Sequence, residues 1–273
     1  MSQCGAAMTR PAGAHHWEAF VAAALACAGG LFATGCSNYA KPHHPYAPLF
    51  ERAGQIDVAV SAGPSGRAPV SFAGHAAVAP VDHLQIVAGV DFDPIRESNR
   101  TRHVAGELGI GGFVMGEGRL RAELVGGLGG GWASGENEEE DDGPWGVVGP
   151  YVRPFVQGVV GGVFDFFTFG GGLRIAATFA HLRTYDTASS DYPYGNGPAE
   201  QVHIDPYTTL RFRYELLIVE VAAGASFSFG DSIVGAPIYG YGALTLHFQF
   251  DAWAPPTDDE PHVPTPAEDL GSP

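Results

Sequence analysis

The chain has 273 residues, 39 of them glycine and 17 phenylalanine, with only 16% charged residues, a balance that suits short strands and turns rather than a helical bundle. Its net charge of −16 leaves no clustered Lys and Arg to neutralise phosphates, which excludes a nucleic-acid partner. Cys4, Cys27 and Cys36 all precede the folded region, so a disulfide framework or a cysteine zinc site within it is excluded.

Phe20 to Phe32, FVAAALACAGGLF, is apolar but shorter than the roughly 20 residues that a helix needs to cross a bilayer. With Arg10 ahead of it, it fits the apolar region of a signal peptide. Ala33-Thr34-Gly35-Cys36 resembles the lipobox of bacterial lipoproteins, which implies removal of residues 1–35 and acylation of Cys36 as the new N-terminus. Ser37 beside it resembles lipoproteins sorted to the outer membrane. An ordinary secretory signal with an incidental Cys36 is the alternative, and Met8 is a second candidate start. Residues 36–54 then read as a proline-rich linker without structure.

From Ile56 onward the pattern has period two, the signature of half-buried strands. Ile56, Val58 and Val60 alternate with Asp57, Ala59 and Ser61. Val70, Phe72, Ala76 and Val78 oppose Ser71 and His75, and Leu84, Ile86, Ala88, Val90 and Phe92 oppose Gln85, Gly89 and Asp91. Val104, Leu108, Ile110 and Val114 oppose His103, Glu107 and Gly109, and Leu120, Ala122 and Leu124 oppose Arg119, Arg121 and Glu123. The second half repeats the design. Val152, Val156 and Val160 oppose Arg153 and Gln157, with Tyr151 and Phe155 blurring the run, and Leu173, Ile175, Ala177 and Phe179 oppose Arg174 and Thr178. Leu210, Phe212 and Tyr214 oppose Arg211 and Arg213, and Leu217, Val219, Val221, Phe227 and Phe229 face away from Glu220. Finally Leu244, Leu246, Phe248 and Phe250 face away from Thr245, His247 and Gln249. The expectation is about ten strands, an even number as in bacterial outer-membrane barrels.

Long and short connections alternate. Gly63 to Arg67, DPIRESNRT, SGENEEEDDGPW, TYDTASSDYPYGNGPAE and GDSIVGAP follow odd strands, and PVDH, MGEG, FDF and Tyr214-Glu215-Leu216 follow even ones. Short turns at one end and longer loops at the other are what a transmembrane barrel requires. Its apolar parity must then meet lipid, because an arginine facing lipid at mid-membrane costs roughly 2–4 kcal/mol. The polar parity, Asp57, His75, Asp91, His103, Glu107, Arg119, Arg121, Glu123, Arg153, Arg174, Arg211, Arg213, Glu220 and His247, is expected to fill the interior as an ion-pair network. A narrow barrel so filled should conduct little or nothing. The fold class expected is therefore all-β, a closed antiparallel up-and-down transmembrane barrel over residues 55–251.

Aromatic residues cluster at predicted strand ends, among them Phe92, Trp132, Trp145, Tyr151, Phe164, Phe166, Phe167, Tyr185, Phe227, Phe229, Phe248 and Trp253, as in an interfacial girdle. Tyr239 to Phe250 resembles the closing strand of outer-membrane proteins. Residues 252–273, acidic and proline-rich, are expected to be a disordered tail.

Pro48-Leu49-Phe50 followed by Gly54 and a run ending near Gly63, GELGIGGF from Gly106, ELVGGLGGG from Glu123 and YVRPFVQGVVG from Tyr151 together resemble a family of small uncharacterised bacterial outer-membrane β-barrel proteins, many of them lipoproteins. The resemblance implies a fold and a location, and it carries over no catalytic residue.

The glycine clusters Gly126 to Gly131 and Gly170 to Gly172 lack the Lys-Ser/Thr of a phosphate-binding loop and instead suit close backbone approach in a curved sheet. No Gly-x-Ser-x-Gly elbow occurs. His43-His44 and the acidic run Glu136 to Asp142 are weak metal candidates, and no metal or other cofactor is expected. The leading expectation is a non-enzymatic outer-membrane lipoprotein with a structural or surface-interaction role. Its partners would be outer-membrane lipid, the outer-membrane assembly machinery and an unidentified surface ligand. One rival is an enzyme acting on envelope lipid through His75, His103, Asp91 and Glu107. The other is a soluble periplasmic β-domain held only by its lipid.

Overall fold

The computed structural model describes residues 46–65, 68–93, 102–116, 118–137, 145–164, 166–186, 195–214, 216–230 and 238–252. Ten strands follow in chain order: β1 (Gln55–Ser65), β2 (Ala68–Val81), β3 (Leu84–Phe92), β4 (Arg102–Met115), β5 (Leu120–Asn137), β6 (Trp145–Val163), β7 (Phe167–Asp186), β8 (Gly195–Tyr214), β9 (Leu217–Gly230) and β10 (Ile238–Asp251). Each pairs antiparallel with its neighbour in sequence, and β1 pairs with β10 from Gln55↔Asp251 to Ser65↔Tyr241, which closes the sheet and leaves no free edge. This is the closed up-and-down barrel that the alternation predicts.

The two parities separate as expected. Val104, Leu108 and Leu124 are more than 60% exposed, while Arg153, Arg174, Glu220, Asp57 and His247 are at most 1% exposed. An apolar belt running around the whole barrel far exceeds the few hundred Å² that a soluble monomer leaves contiguous. A polar core inside an apolar shell is the inverse of a water-soluble domain, and the chain is a transmembrane β-barrel. Tyr151 and Phe155, which blur the pattern in sequence, lie on the inward parity with Arg153 and Gln157.

Four short turns lie at one end, between β2 and β3, β4 and β5, β6 and β7, and β8 and β9; the start of β1 and the end of β10 lie there too. We call it the turn end and the opposite one the loop end. Most of the long connections, together with Cys36, His43-His44, the signal segment 1–35 and nearly all of the tail, fall outside the described residues. Several expected boundaries move, with Ser134 to Asn137 belonging to β5 and Thr184 to Asp186 to β7. Gly63 to Ser65 belong to β1, so the first connection is only residues 66–67, and β8 begins at Gly195 instead of near Leu210.

The strands are unequal. β3 has 9 residues, close to the 9–11 that span a bilayer, whereas β7 and β8 have 20 each. The long side of the wall, β5 to β8, therefore continues beyond the bilayer at the loop end.

Candidate functional site

The lumen holds the molecule's chemistry, in two layers. At the turn end it is filled by a segment that belongs to no strand. Residues 46–50 run inside the ring, with Tyr46, Ala47, Leu49 and Phe50 all buried, and Gly54 at φ 83° reverses the chain into β1. This corrects the sequence reading of residues 46–54 as structureless linker.

The wall grips the segment mainly through its backbone. Gln157 Nε2 donates to the Tyr46 carbonyl at 2.7 Å, Arg211 donates to the carbonyls of Ala47 and Pro48, and Glu123 Oε1 accepts from the Phe50 N–H at 3.0 Å. The Tyr46 hydroxyl donates to Asp57 Oδ1 at 2.6 Å, and its ring stacks on His75 with centroids 4.7 Å apart. Phe50 meets Phe113 edge to face at 6.0 Å. Arg211 also pairs with Glu220, and His247 Nδ1 lies 3.1 Å from Asp57 Oδ1.

At the mouth, the N–H groups of Glu51 and Arg52 donate to Gln55 Oε1, and Ala53 N–H donates to Asp82. Arg52 forms an exposed 2.6 Å bridge to Asp251, and that hydrogen bond raises the Arg52 pKa further.

Nearer the loop end the lumen is filled by the wall's own side chains. Arg174 donates twice to Glu107, at 2.6 and 3.3 Å, and its guanidinium lies 4.0 Å from the centroid of the Phe155 ring. Arg153 Nε donates to Thr178 Oγ1 at 3.0 Å, and His103 Nε2 lies 2.6 Å from the Tyr151 hydroxyl. Ser226 Oγ donates to Asp205, and Ser228 Oγ lies 3.0 Å from His203 Nδ1.

Large interior rings lie flat because they cross glycines. A Cβ on Gly172 would sit 2.4 Å from the Tyr207 ring, and one on Gly127 would sit 2.6 Å from the Phe155 ring. Those glycines leave the axis of the ring for charge and for the inserted segment.

Of the residues expected inside, Asp57, His75, Glu123, Arg211, Glu220 and His247 face the turn-end layer, and Asp91, His103, Glu107, Arg153 and Arg174 the loop-end layer. Arg121 is buried at the edge, donating to the Leu120 carbonyl of its own turn. Two do not join them. Arg119 lies exposed in the turn before β5, 5.3 Å over the Phe164 ring, because its strand starts one residue later. Arg213 reaches the turn-end rim, where it binds Gln249 at 2.6 Å and approaches Glu51 at 3.8 Å. Tyr151, expected in the interfacial girdle, is buried in the lumen, while Phe92, Trp132, Phe164, Phe166, Phe229 and Phe248 face outward.

Sequence reasoning missed His203, Asp205 and the inserted Tyr46. The first two carry a usable signal, since Val202 and Ile204 flank them in ordinary alternation. Of the four enzyme candidates, His75 and Glu107 approach one another across Gly89, where a Cβ would sit 3.1 Å from His75 Nδ1 and 3.2 Å from the Glu107 side chain. His75 also stacks on Tyr46, Glu107 binds Arg174, and His103 meets Tyr151. Among the described residues no three His, Cys, Asp or Glu side chains converge as a metal site would require.

Fold and lumen together define the class, a transmembrane β-barrel with a filled interior. No family model and no curated protein matches the chain. Among solved structures it is similar to the outer membrane protease OmpT from Escherichia coli, at 12% identity over 72% of this chain and 94% of that one, with a TM-score of 0.42. It is also similar to the translocator domain of the autotransporter NalP from Neisseria meningitidis, at 10% identity over 86% and 96% of the two chains, with a TM-score of 0.39. No residue role is taken from either.

Proposed function

We propose that the protein is an outer-membrane lipoprotein of Gram-negative bacteria whose sealed barrel is a non-conducting, non-enzymatic platform for the acidic connections at its loop end. The observation that carries this reading is the lumen itself, in which buried charges engage one another and an inserted chain segment instead of lining a water-filled passage. By the usual orientation of such barrels, the short turns face the periplasm and the longer loops face outward. That orientation puts the Cys36 lipid on the periplasmic side and presents Glu136 to Asp142 outside, to a cationic surface ligand. Insertion would proceed through the outer-membrane assembly machinery.

Purified protein should shift on gels between unheated and boiled samples and show no single-channel steps in planar bilayers. Stepwise conductance, or a folded chain that is soluble without detergent, sinks the reading. Cys36→Ala should abolish incorporation of labelled palmitate while the barrel stays in the membrane fraction. Alanine at His75 and at His103 should leave envelope lipid composition unchanged, and altered lipids would favour the enzyme.

A further inference from the structure

We propose that the turn-end layer of the lumen is a binding site for an extended peptide, and that residues 46–50 are its resident occupant, bound in cis. This rests on the reading of the chain as a closed barrel. The ring is complete without the segment, because β1 pairs with β10 from Gln55 onward. Among the described residues, nothing in 46–53 forms a backbone hydrogen bond with a strand's backbone; that ladder begins at Gly54, whose N–H donates to the Ala79 carbonyl at 2.7 Å. The segment is held as a ligand is held.

The wall supplies what an extended backbone needs, donors from Gln157 and Arg211 for three successive carbonyls and a carboxylate from Glu123 for an N–H. Two side-chain seats set a preference. Asp57 and His75 receive an aromatic hydroxyl and ring, and Phe113 receives a second aromatic four residues later. The ligand class is therefore a peptide of the pattern Tyr-x-x-x-Phe entering from the turn end.

The occupant is also strained. Leu49 sits at φ 53°, in the left-handed region that only glycine enters freely, so leaving the site relieves it. Its tether at the mouth has Arg52 exposed and Ala53 half-buried.

The test uses the mature chain from residue 36 with Cys36→Ala, so that no acyl chain holds the fragment, and with a site-specific protease sequence inserted between Arg52 and Ala53, folded in detergent and then cut. The expected result is loss of the N-terminal fragment on washing, a ring that remains heat-modifiable, and saturable binding of a fluorescent peptide of residues 46–53. The same peptide with Tyr46→Phe should bind about ten-fold or more weaker, having lost a hydrogen bond to a charged acceptor. If the insertion prevents folding, a chain lacking residues 46–52 is assayed with the same peptide. A fragment that stays bound after cutting, an emptied ring that ignores the peptide, or a ring that cannot fold in either form overturns the proposal. Conductance of the uncut protein is read separately, so failure of the sealed-platform reading is distinguishable from failure of the peptide site.

Discussion

The two layers of the lumen solve the same problem differently. Near the loop end the wall fills its own interior, with Arg174 reaching Glu107 and Arg153 reaching Thr178. At the turn end the wall's charges meet a piece of chain from outside the ring, and Arg211 divides its donors between Glu220 and the carbonyls of Ala47 and Pro48. A buried ion can thus be satisfied by a counter-ion or by peptide dipoles, and the second solution makes part of the interior removable. In both layers the group is costly to orphan once it is in place.

The difference can be broken from either side. Arg211→Met should have the largest effect, because it leaves Glu220 with only His247 Nε2 at 3.7 Å and releases two carbonyls at once; a loss of about 3–5 kcal/mol is expected in denaturant unfolding from micelles. The segment should also become open to protease in the folded state. Adding Glu220→Leu should recover much of the stability but none of the protection. Arg174→Met should cost about 3 kcal/mol by the same measure, without exposing residues 46–54 to protease, since its ion-pair partner Glu107 is in the other layer. Gly172→Ala drives a methyl group into the Tyr207 ring and should cost about 1–3 kcal/mol, with Tyr207→Ala restoring part of it. Tyr46→Phe, losing one bond to Asp57, should cost about 1.5 kcal/mol and raise protease sensitivity of the segment alone. Arg52→Ala should leave unfolding within a few tenths of a kcal/mol, because its bridge to Asp251 is exposed and screened. Equal protease protection in the Arg211 and Arg174 variants would erase the distinction between the layers.

Parity was the legible part, because a strand's side chains alternate by geometry and the bilayer demands opposite chemistry on the two faces. Arg119 and Arg213 share the inward parity in sequence, yet one precedes its strand and the other sits at a strand's end; alternation specifies a face and not a depth. The stretch of β8 before Leu210 was hidden by Pro198, Pro206 and the polar Thr208-Thr209, residues a strand tolerates here while its alternation persists. Residues 46–50 were hidden for another reason. An inserted segment has no period to detect, and its environment is made by side chains far along the chain, such as Glu123, Gln157 and Arg211. Only Tyr46, Leu49 and Phe50 placed directly before Gly54 gave a clue that this stretch has apolar surface to bury.

The pairing of β1 with β10 has a consequence for biogenesis. The first strand made by the ribosome must wait for the last before the cylinder can be zipped, and the stopper hangs from that first strand just beyond the zip. A nascent chain truncated before Ile238 therefore offers the cell an open trough with both edges unpaired, a form that envelope proteases can recognise and clear.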